Sequence, residues 1–302
     1  MAELTVRQLE YFVATAEAGG VTAASVQLHL SQSALSMALS DLEKTLGVRL
    51  LVRHPRGVSV TGVGAQVLAD ARRLLSGLDD LQNSARDSQE SMSGRLVVGC
   101  YSTLSPFLLP PVVAAFAEHH PDVDMTFVEG SHDYLEEQLR SGVLDLAILY
   151  DYGPDHFGRT RDLDAQSIVA SPPYALLPAD HPLTRRKQLS LRQLSPEPLI
   201  LFNLPPGGEY FLSLFAAQGL EPWVRFHTTS YELVRSLVAR GLGYSILSQR
   251  AESTVSYEGN PYVARELSDQ HAGLAVNVVT LASAQPTRRA EEFVAQCRRS
   301  WT

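Results

Sequence analysis

The sequence predicts an α/β protein that begins with an all-α, winged-helix domain and continues through a long linker helix into a two-lobed, Rossmann-like domain. Residues 1–61 contain short helical segments followed by two β-prone runs. Residues 62–92 contain no proline and keep apolar residues at heptad spacing. Residues 93–302 alternate short apolar strands with helical segments, which is typical of a parallel sheet covered by helices.

The composition is that of an ordinary globular protein. The 302 residues are 45% hydrophobic and 19% charged, and their number favours two or three domains. The two cysteines, Cys100 and Cys297, are too few and too far apart for a disulfide framework or a zinc site, so we expect neither metal nor cofactor. The sequence shows no apolar signal segment and no apolar run of membrane-spanning length. We therefore expect a cytoplasmic protein without a membrane partner.

The distribution of charge along the chain is compatible with binding to a nucleic acid. A formal net charge of -8 argues against one at first. Through Val60, however, basic and acidic residues balance, so the negative excess belongs to the later part of the chain. Three arginines cluster at Arg49, Arg53 and Arg56. Such a local basic patch is what contact with phosphates requires.

The first domain has the pattern of a helix-turn-helix. Apolar spacing predicts a first helix over residues 6–18, and Thr22 is a candidate N-cap for a second over 23–28. Either Ser31 or Ser33 can cap a third helix that runs to about Leu46. Two helices joined by a short turn place the second one in the major groove of DNA.

Polar side chains occupy the exposed face at the start of the third helix. Gln32 can pair with an adenine edge, and the hydroxyls of Ser33 and Ser36 can reach bases or phosphates. The basic hairpin over 48–60 is typical of a wing, whose arginines would contact the DNA backbone. On these residues alone, a structural cap with an ordinary polar surface is an equally good interpretation.

The linker segment predicts a dimer. Its apolar residues are spaced alternately by four and three, the pattern of a two-helix seam. They are Val67, Ala71, Leu74, Leu78, Leu81 and Ala85. The alternative is a long amphipathic helix packed on its own chain. We favour the dimer, whose symmetry predicts an interrupted inverted repeat as its DNA target.

The remaining residues predict two similar lobes. We expect lobe I at about 93–165 and 270–302, and lobe II at about 166–269. Strands are predicted at 96–100, 123–128, 144–150, 174–177, 199–202, 224–227 and 244–247, and helices at 106–119, 134–141, 210–218, 231–239 and 288–299. Ligands in such sheets lie beyond the carboxyl ends of the strands, beside helix N-termini.

Four strand-to-helix turns supply candidate ligand contacts, at 101–106, 130–132, 202–208 and 228–230. Each serine or threonine there is individually more often a plain helix cap. The convergence of four such turns on one cleft favours ligand binding. No Arg or Lys lies in these turns, so an organic acid would rely on backbone amides, hydroxyls and His132. Cys100 ends the first of these strands, but a buried structural thiol is more common there than a redox sensor.

Several motif blocks resemble the DNA-binding domain of LysR-type regulators. The blocks are LEYFV at 9–13, VTAAS at 21–25, LSQSALS at 30–36, LEKTLGVRL at 42–50, and 53–62. The resemblance covers about the first ninety residues without a gap, and the rest resembles, more weakly, the effector-binding domain of the same regulators. Two departures are Ser33, where the family usually has proline, and Met37-Ala38, where long polar side chains are common.

The resemblance implies roles for particular residues. Together with the pattern above, it makes the DNA-binding candidates Thr22, Gln32, Ser33, Ser36, Arg53, His54 and Arg56. The effector-binding candidates that it implies are Ser102, Thr103, Ser131, Phe202 and Thr229. It also implies double-stranded DNA and a small organic acid as partners, assembly as a homodimer or homotetramer, and RNA polymerase as a further candidate partner.

Two other classes of function compete with a regulator. A hydrolase built from Ser102 and a distant histidine is one, but no GxxxxGK, GxSxG or HExxH motif is present, so we do not expect an enzyme. A solute-binding protein without DNA activity is the other. It would explain the C-terminal half, but it leaves the basic hairpin and the heptad helix without a role.

Overall fold

The N-terminal domain is a three-helix unit with a two-stranded wing. The computed structural model describes residues 4–55, 57–86, 92–153, 162–251, 253–269 and 273–301, and the side chains at 80 and 83–86 lie outside this description. The elements are α1 (Val6–Glu17), α2 (Val21–Gln27), α3 (Gln32–Leu46), β1 (Leu51–His54) and β2 (Gly57–Val60). Leu9, Phe12, Leu35, Leu39 and Leu42 form the centre of the core of this domain. These apolar residues recur at helical spacing, so each helix buries one face.

The helix caps decide between the alternatives that the sequence left open. Ser31 caps α3, because its side chain accepts a hydrogen bond from the backbone N–H of Ala34 at 3.1 Å. The hydroxyl of Ser33 lies 3.1 Å from that of Ser31 and remains exposed. The prediction that Thr22 caps α2 is wrong, because the helix already begins at Val21 with Gly20 as its N-cap. Thr22 is therefore an exposed residue of the first turn.

Two sets of hydrogen bonds fix the wing to the helices. The carboxylate of Glu43 on α3 accepts from the backbone N–H groups of Leu50 at 2.7 Å and Leu51 at 3.0 Å. On the other strand, the N–H of Val58 donates to the carbonyl of Gly19 at 2.8 Å. The wing is thus held at both strands, and its position relative to α3 is set by the domain itself.

The linker helix α4 (Gly62–Arg86) packs its first half on this domain. Leu68 and Ala71 belong to the same core as α1 and α3. Gly64 on α4 lies directly against the backbone before β1, because a Cβ at this position would lie 2.2 Å from the carbonyl oxygen of Leu50. Gly77 lies on the same helix, but nothing is within 4 Å of its Cβ position.

Alanine should have opposite effects at these two glycines. We expect Gly64→Ala to lower the free energy of unfolding by about 1–3 kcal/mol, since the new methyl group displaces backbone. Gly77→Ala should raise it by about 0.5–1 kcal/mol, since alanine is the better helix former. Urea denaturation of both variants measures the difference. A Gly64→Ala variant as stable as Gly77→Ala would contradict the close packing of α4 on Leu50, the residue before β1.

The C-terminal part contains eleven strands and six α-helices within the described residues. The strands are β3 (Gly94–Tyr101), β4 (Val123–Gly130), β5 (Leu146–Asp151), β6 (Leu163–Ser171), β7 (Tyr174–Pro178), β8 (Gln188–Leu189), β9 (Pro198–Phe202), β10 (Trp223–Thr228), β11 (Ser245–Leu247), β12 (Tyr262–Leu267) and β13 (Leu274–Leu281). The helices are α5 (Ser105–His119), α6 (His132–Arg140), α7 (Leu191–Leu194), α8 (Gly207–Ala216), α9 (Tyr231–Ala239) and α10 (Arg288–Ser300).

Two sheets define the two lobes. Lobe I contains a five-stranded sheet in the order β4-β3-β5-β13-β6. Lobe II contains the sheet β11-β7-β12-β8 and the parallel pair β10-β9, which a parallel bridge between Leu199 and Tyr244 joins. Each lobe has its own hydrophobic core, and Leu204 and Tyr210 pack against both. The predicted two-lobed α/β architecture is confirmed.

Two details of the lobes differ from the prediction. The sheet of lobe I is mixed, because β13 runs antiparallel to both β5 and β6. Strand β6 pairs with β13 as far as Ser171, so lobe I extends past the expected boundary at 165. These two strands carry the chain out of lobe I and back into it, which explains their opposite directions. No helix in the described part of the chain is long and apolar enough to cross a membrane.

Candidate functional site

The N-terminal half of α3 presents a polar face to solvent. Gln32 and Ser33 are exposed and Ser36 is partly buried, while Leu35 and Leu39 on the opposite face are buried. Met37 interrupts the polar face with a side chain that is 66% exposed. The core of the domain thus directs uncharged hydrogen-bonding groups outward from the helix that follows the turn, as major-groove contact requires.

The wing extends this face with a cationic strand. Arg53 and His54 on β1 are both exposed, and so is Thr22 in the first turn of α2. The predicted contact residue Arg56 lies outside the described residues. An exposed guanidinium on a strand that hydrogen bonds hold to the helices has the chemistry for binding phosphate oxygens.

One side of α4 forms an apolar surface stripe, which we call the linker stripe. It consists of Val63, Val67, Leu74, Leu78 and Leu81, of which Val67 is partly buried and also packs against the core of the N-terminal domain. Leu74 is 61% exposed and Leu81 is 67% exposed. Of the other predicted seam residues, Ala71 is buried inside the N-terminal domain at 1% exposure, and the side chain of Ala85 lies outside the described residues. The prediction for Ala71 is therefore corrected: it packs within its own chain.

A narrow cavity lies between the two lobes. Its lining comes from the ends of strands and the starts of helices in both lobes, where ligand contacts were expected. The lining residues are Tyr101, Thr103, Tyr150, Tyr152, Phe202, Phe211, Tyr231, Leu247, Ser248, Gln249 and Leu274. The rings approach closely enough to leave room for only about one water molecule. A ligand can therefore enter only if side chains or lobes move apart.

The structure brings some of the predicted ligand residues together and not others. Thr103 and Phe202 line the cavity. Ser102 does not, because its hydroxyl donates to the carbonyl of Gly130 at 3.2 Å. Ser131 stands before α6, where its side chain makes no cap hydrogen bond, and Thr229 is exposed to solvent. Neither of these two lines the cavity.

The tyrosines are the part of the site that sequence reasoning missed. Tyr101 ends β3, Tyr150 lies near the end of β5, and Tyr231 begins α9, immediately after a candidate turn. Their positions at strand ends and helix starts were a usable signal. Serine and threonine hydroxyls in the turns were expected to contact the ligand, whereas most of the lining consists of aromatic side chains in or beside the turns.

Hydrogen bonds between phenols and carbonyls join the walls of the cavity. The hydroxyl of Tyr101 in lobe I donates to the carbonyl of Leu204 in lobe II at 3.1 Å. Within lobe II, Tyr174 and Tyr231 both donate to the carbonyl of Gln249, Tyr174 at 2.9 Å. Burial raises the pKa of Tyr174 to about 12 and raises the pKa of Tyr101 as well. These phenols therefore stay protonated at physiological pH and act as donors.

His132, a candidate partner for an acidic ligand, is already engaged within the protein. The ring is fully buried, with one nitrogen 3.2 Å from the carboxylate of Glu136 and the other 3.3 Å from the carbonyl of Tyr150. Burial raises the pKa of Glu136, but hydrogen bonds from His132 and Arg140 outweigh it, so the pKa is lowered. His132 thus holds the start of α6 against β5.

The opposite end of α6 contacts the linker helix. Arg72 on α4 donates to the carbonyl of Ser141 at 2.9 Å and pairs with the carboxylate of Glu17 on α1 at 3.2 Å. Gly142 lies against α4 so closely that a Cβ there would be 3.0 Å from the carbonyl oxygen of Ala69. One short helix therefore connects β5, whose Tyr150 lines the cavity, with the linker helix α4.

Both cysteines lie in the core of lobe I. Cys100 on β3 and Cys297 on α10 are fully buried. Burial raises the pKa of each thiol, to about 12 for Cys297. Because the thiolate is the reactive form, neither cysteine has the environment of a redox sensor.

Comparison with known proteins agrees with this division of the chain. Residues 6–65 match the family model described as bacterial regulatory helix-turn-helix protein, lysR family. Residues 89–302 match the LysR substrate binding domain. The chain is 30% identical to the transcriptional dual regulator GltC of Bacillus subtilis over 256 residues, 83% of each protein.

Solved structures share the whole architecture. A full-length OxyR variant from Pseudomonas aeruginosa is 26% identical, with a TM-score of 0.80, over 100% of this chain and 97% of that one. Full-length CbnR in complex with its target DNA is 25% identical, with a TM-score of 0.58, over 99% and 100% of the two chains. The chain carries both domains of one family in the same order. It belongs to the LysR family of transcriptional regulators.

Proposed function

We propose that this regulator binds an interrupted inverted repeat in double-stranded DNA as a homodimer. The observation that carries the proposal is the exposed polar face of α3 beside the exposed arginine of the wing. In the proposed complex, Gln32, Ser33 and Ser36 face bases of the major groove, while Arg53, His54 and Arg56 contact phosphates. Thr22, in the first turn of α2, is a further backbone contact.

The linker stripe supports the dimer in this proposal. Exposed leucines on one side of a helix cost free energy in water, and pairing with the same stripe of a second copy removes them from solvent. Twofold symmetry then presents two copies of α3 to two half-sites. Two such dimers can form a tetramer, which would add a second pair of DNA contacts.

We further propose that a small organic effector in the interlobe cavity changes the contact between α6 and α4. A ligand between the lobes must alter the packing around Tyr150 and Tyr152, and His132 connects that region to α6. A shift of α6 would reach the DNA-binding part through Ser141 and Arg72. The proposed output is a different spacing of DNA-binding units, altered DNA bending and altered recruitment of RNA polymerase.

The organic acid that the sequence predicted as effector would need a specific arrangement in this cavity. No described lining residue is cationic, so a carboxylate would have to bind backbone amides or remain at the mouth of the cavity. The role proposed for the whole chain is regulation rather than catalysis, carried out in the cytoplasm where its DNA lies.

Selection from a pool of random duplexes tests the DNA-binding proposal. We expect the purified full-length protein to enrich an interrupted inverted repeat, with an affinity that falls steeply as salt is raised. If a folded protein enriched no sequence, with or without candidate effectors, a solute-binding role would become the better interpretation.

Hydrogen peroxide should leave the protein unchanged. Its two cysteines are both buried with raised pKa values, so we expect neither thiol to react with an aromatic disulfide reagent until the protein unfolds. Thiol titration in buffer and in denaturant measures this, and DNA affinity with and without peroxide is the functional readout. Rapid reaction of a native thiol together with altered DNA affinity would establish a redox sensor.

A further inference from the structure

The interlobe cavity is an aromatic enclosure. Six of its lining residues carry rings, three in or beside the ends of the lobe I strands (Tyr101, Tyr150, Tyr152) and three in lobe II (Phe202, Phe211, Tyr231). Tyr150 makes edge-to-face contacts with Tyr101 at 5.6 Å and Tyr152 at 5.8 Å between ring centroids. Phe202 and Tyr231 make another at 6.3 Å. The surface that a ligand meets therefore consists mainly of ring faces and edges.

The same enclosure is electrically neutral. Of the described residues that line it, none carries a charge. The ring of His132 is 6.2 Å from that of Tyr152 between centroids, but this histidine is already engaged with Glu136. A charged group placed among these rings would lose its hydration without gaining an ionic partner, which strongly disfavours it.

One polar group of the enclosure, the hydroxyl of Ser248, makes no hydrogen bond within the described part of the chain. The side chain of Ser248 is buried at 7% exposure, and its hydroxyl has no hydrogen-bond partner among the described residues. It lines the cavity beside Gln249. A buried hydroxyl without a partner costs stability, and a ligand that supplies a donor or acceptor would remove that cost.

We infer that the effector enters this enclosure with an uncharged aromatic ring bearing a hydroxyl or carbonyl oxygen, which bonds to Ser248. The inference rests on the proposed function of the cavity. The lobes themselves meet through ring contacts, because Phe107 and Tyr152 of lobe I lie edge-to-face against Tyr231 and Tyr210 of lobe II, each pair 5.7 Å apart between centroids. An aromatic ligand that separates the lobes therefore replaces one ring contact with another. A saturated molecule of the same size lacks the quadrupole that these edge-to-face contacts use.

Three matched probes test the inference on the full-length protein: benzyl alcohol, cyclohexylmethanol and benzoate. We expect benzyl alcohol to bind most tightly in ligand-observed NMR titrations, by about two- to tenfold over cyclohexylmethanol, the range that aromatic pairing contributes. Benzoate should bind less tightly than benzyl alcohol. If cyclohexylmethanol or benzoate bound as well as benzyl alcohol or better, the inference would be wrong.

Substitutions locate the binding. Tyr231→Leu removes one ring of the enclosure and should weaken the binding of benzyl alcohol by about two- to tenfold. The control is Tyr257→Leu, at a tyrosine that is 87% exposed, and it should leave this affinity unchanged. Ser248→Ala should weaken the binding of benzyl alcohol but not the binding of fluorobenzene, which carries no hydroxyl group. Equal binding by the Tyr231→Leu and Tyr257→Leu variants would place the probe elsewhere and overturn the inference. The ranking of the probes on the unsubstituted chain decides the question even if a variant does not fold.

The DNA selection described above distinguishes failure of the ligand class from failure of the proposed function. If the protein selects a DNA repeat but binds none of the aromatic probes, the ligand class is wrong and the regulator remains. If it selects no DNA but binds benzyl alcohol in the cavity, the ligand class is supported and the proposed DNA binding fails.

Discussion

Replacing Leu74 and Leu78 with aspartate should convert the proposed homodimer to a monomer near 33.0 kDa. Leu74 is 61% exposed in the single chain, and it shares the linker stripe with Leu78 and Leu81. Each leucine buried in a seam contributes about 1.5–3 kcal/mol, and the dimer contains two copies of both. The aspartates remove that contribution and place like charges across the twofold axis.

The loss of the dimer should also abolish tight DNA binding. A monomer contacts one half-site, and without the second it loses the gain from linked binding, on the order of a hundredfold or more. Light scattering measures the mass, and titration of one operator measures the affinity. The matched control is the pair Gln66→Asp and Gln82→Asp, which adds the same charges to exposed positions of α4 outside the stripe. A Leu74→Asp/Leu78→Asp protein that remained a dimer would move the interface elsewhere.

Ala71 illustrates why the heptad pattern alone could not define the seam. The pattern predicts which residues share one side of α4, and it assigned Ala71 to the same side as Leu74. The N-terminal half of this helix, however, packs on α1 and contributes to the core of the N-terminal domain of its own chain. Only the tertiary arrangement separates Ala71, which is buried, from Leu74, which is exposed.

The sequence predicted which segments form helices and strands better than it predicted which segments pair or pack together. Ser31 and Ser33 were both valid caps by residue type, and only the backbone geometry selects Ser31. Strand β13 was not predicted, although the apolar run over 274–281 is visible in the sequence, because its pairing with β5 and β6 joins residues far apart in the chain. The same limitation applies to the cavity: the turns were located correctly, but whether Ser102 or Tyr101 points inward depends on contacts between lobes.

Arg53→Ala should weaken binding to every DNA sequence and flatten its dependence on salt. Arg53 is exposed on a wing strand that hydrogen bonds fix to the domain, and a phosphate contact by this residue carries no sequence information. Each lost contact should lower the salt slope by about 0.9, hence by roughly 2 for a dimer. The affinity at fixed salt should fall by about 1.5 kcal/mol or more per subunit, as for other hydrogen bonds to charged groups.

The contrast with Gln32→Ala makes this prediction specific to the wing. If Gln32 pairs with an adenine edge, its removal should cost about 1–3 kcal/mol of binding free energy on the preferred site and little on random DNA. The salt dependence of the affinity should not change. Arg185→Ala, an exposed arginine in lobe II, is the control for the loss of one positive charge and should leave both quantities unchanged. Salt titrations of all three variants on specific and random duplexes distinguish these outcomes. If Arg53→Ala bound DNA normally across the whole titration, the wing would not be part of the interface. If Gln32→Ala lost affinity equally on specific and random duplexes, Gln32 would contact the DNA backbone rather than the bases.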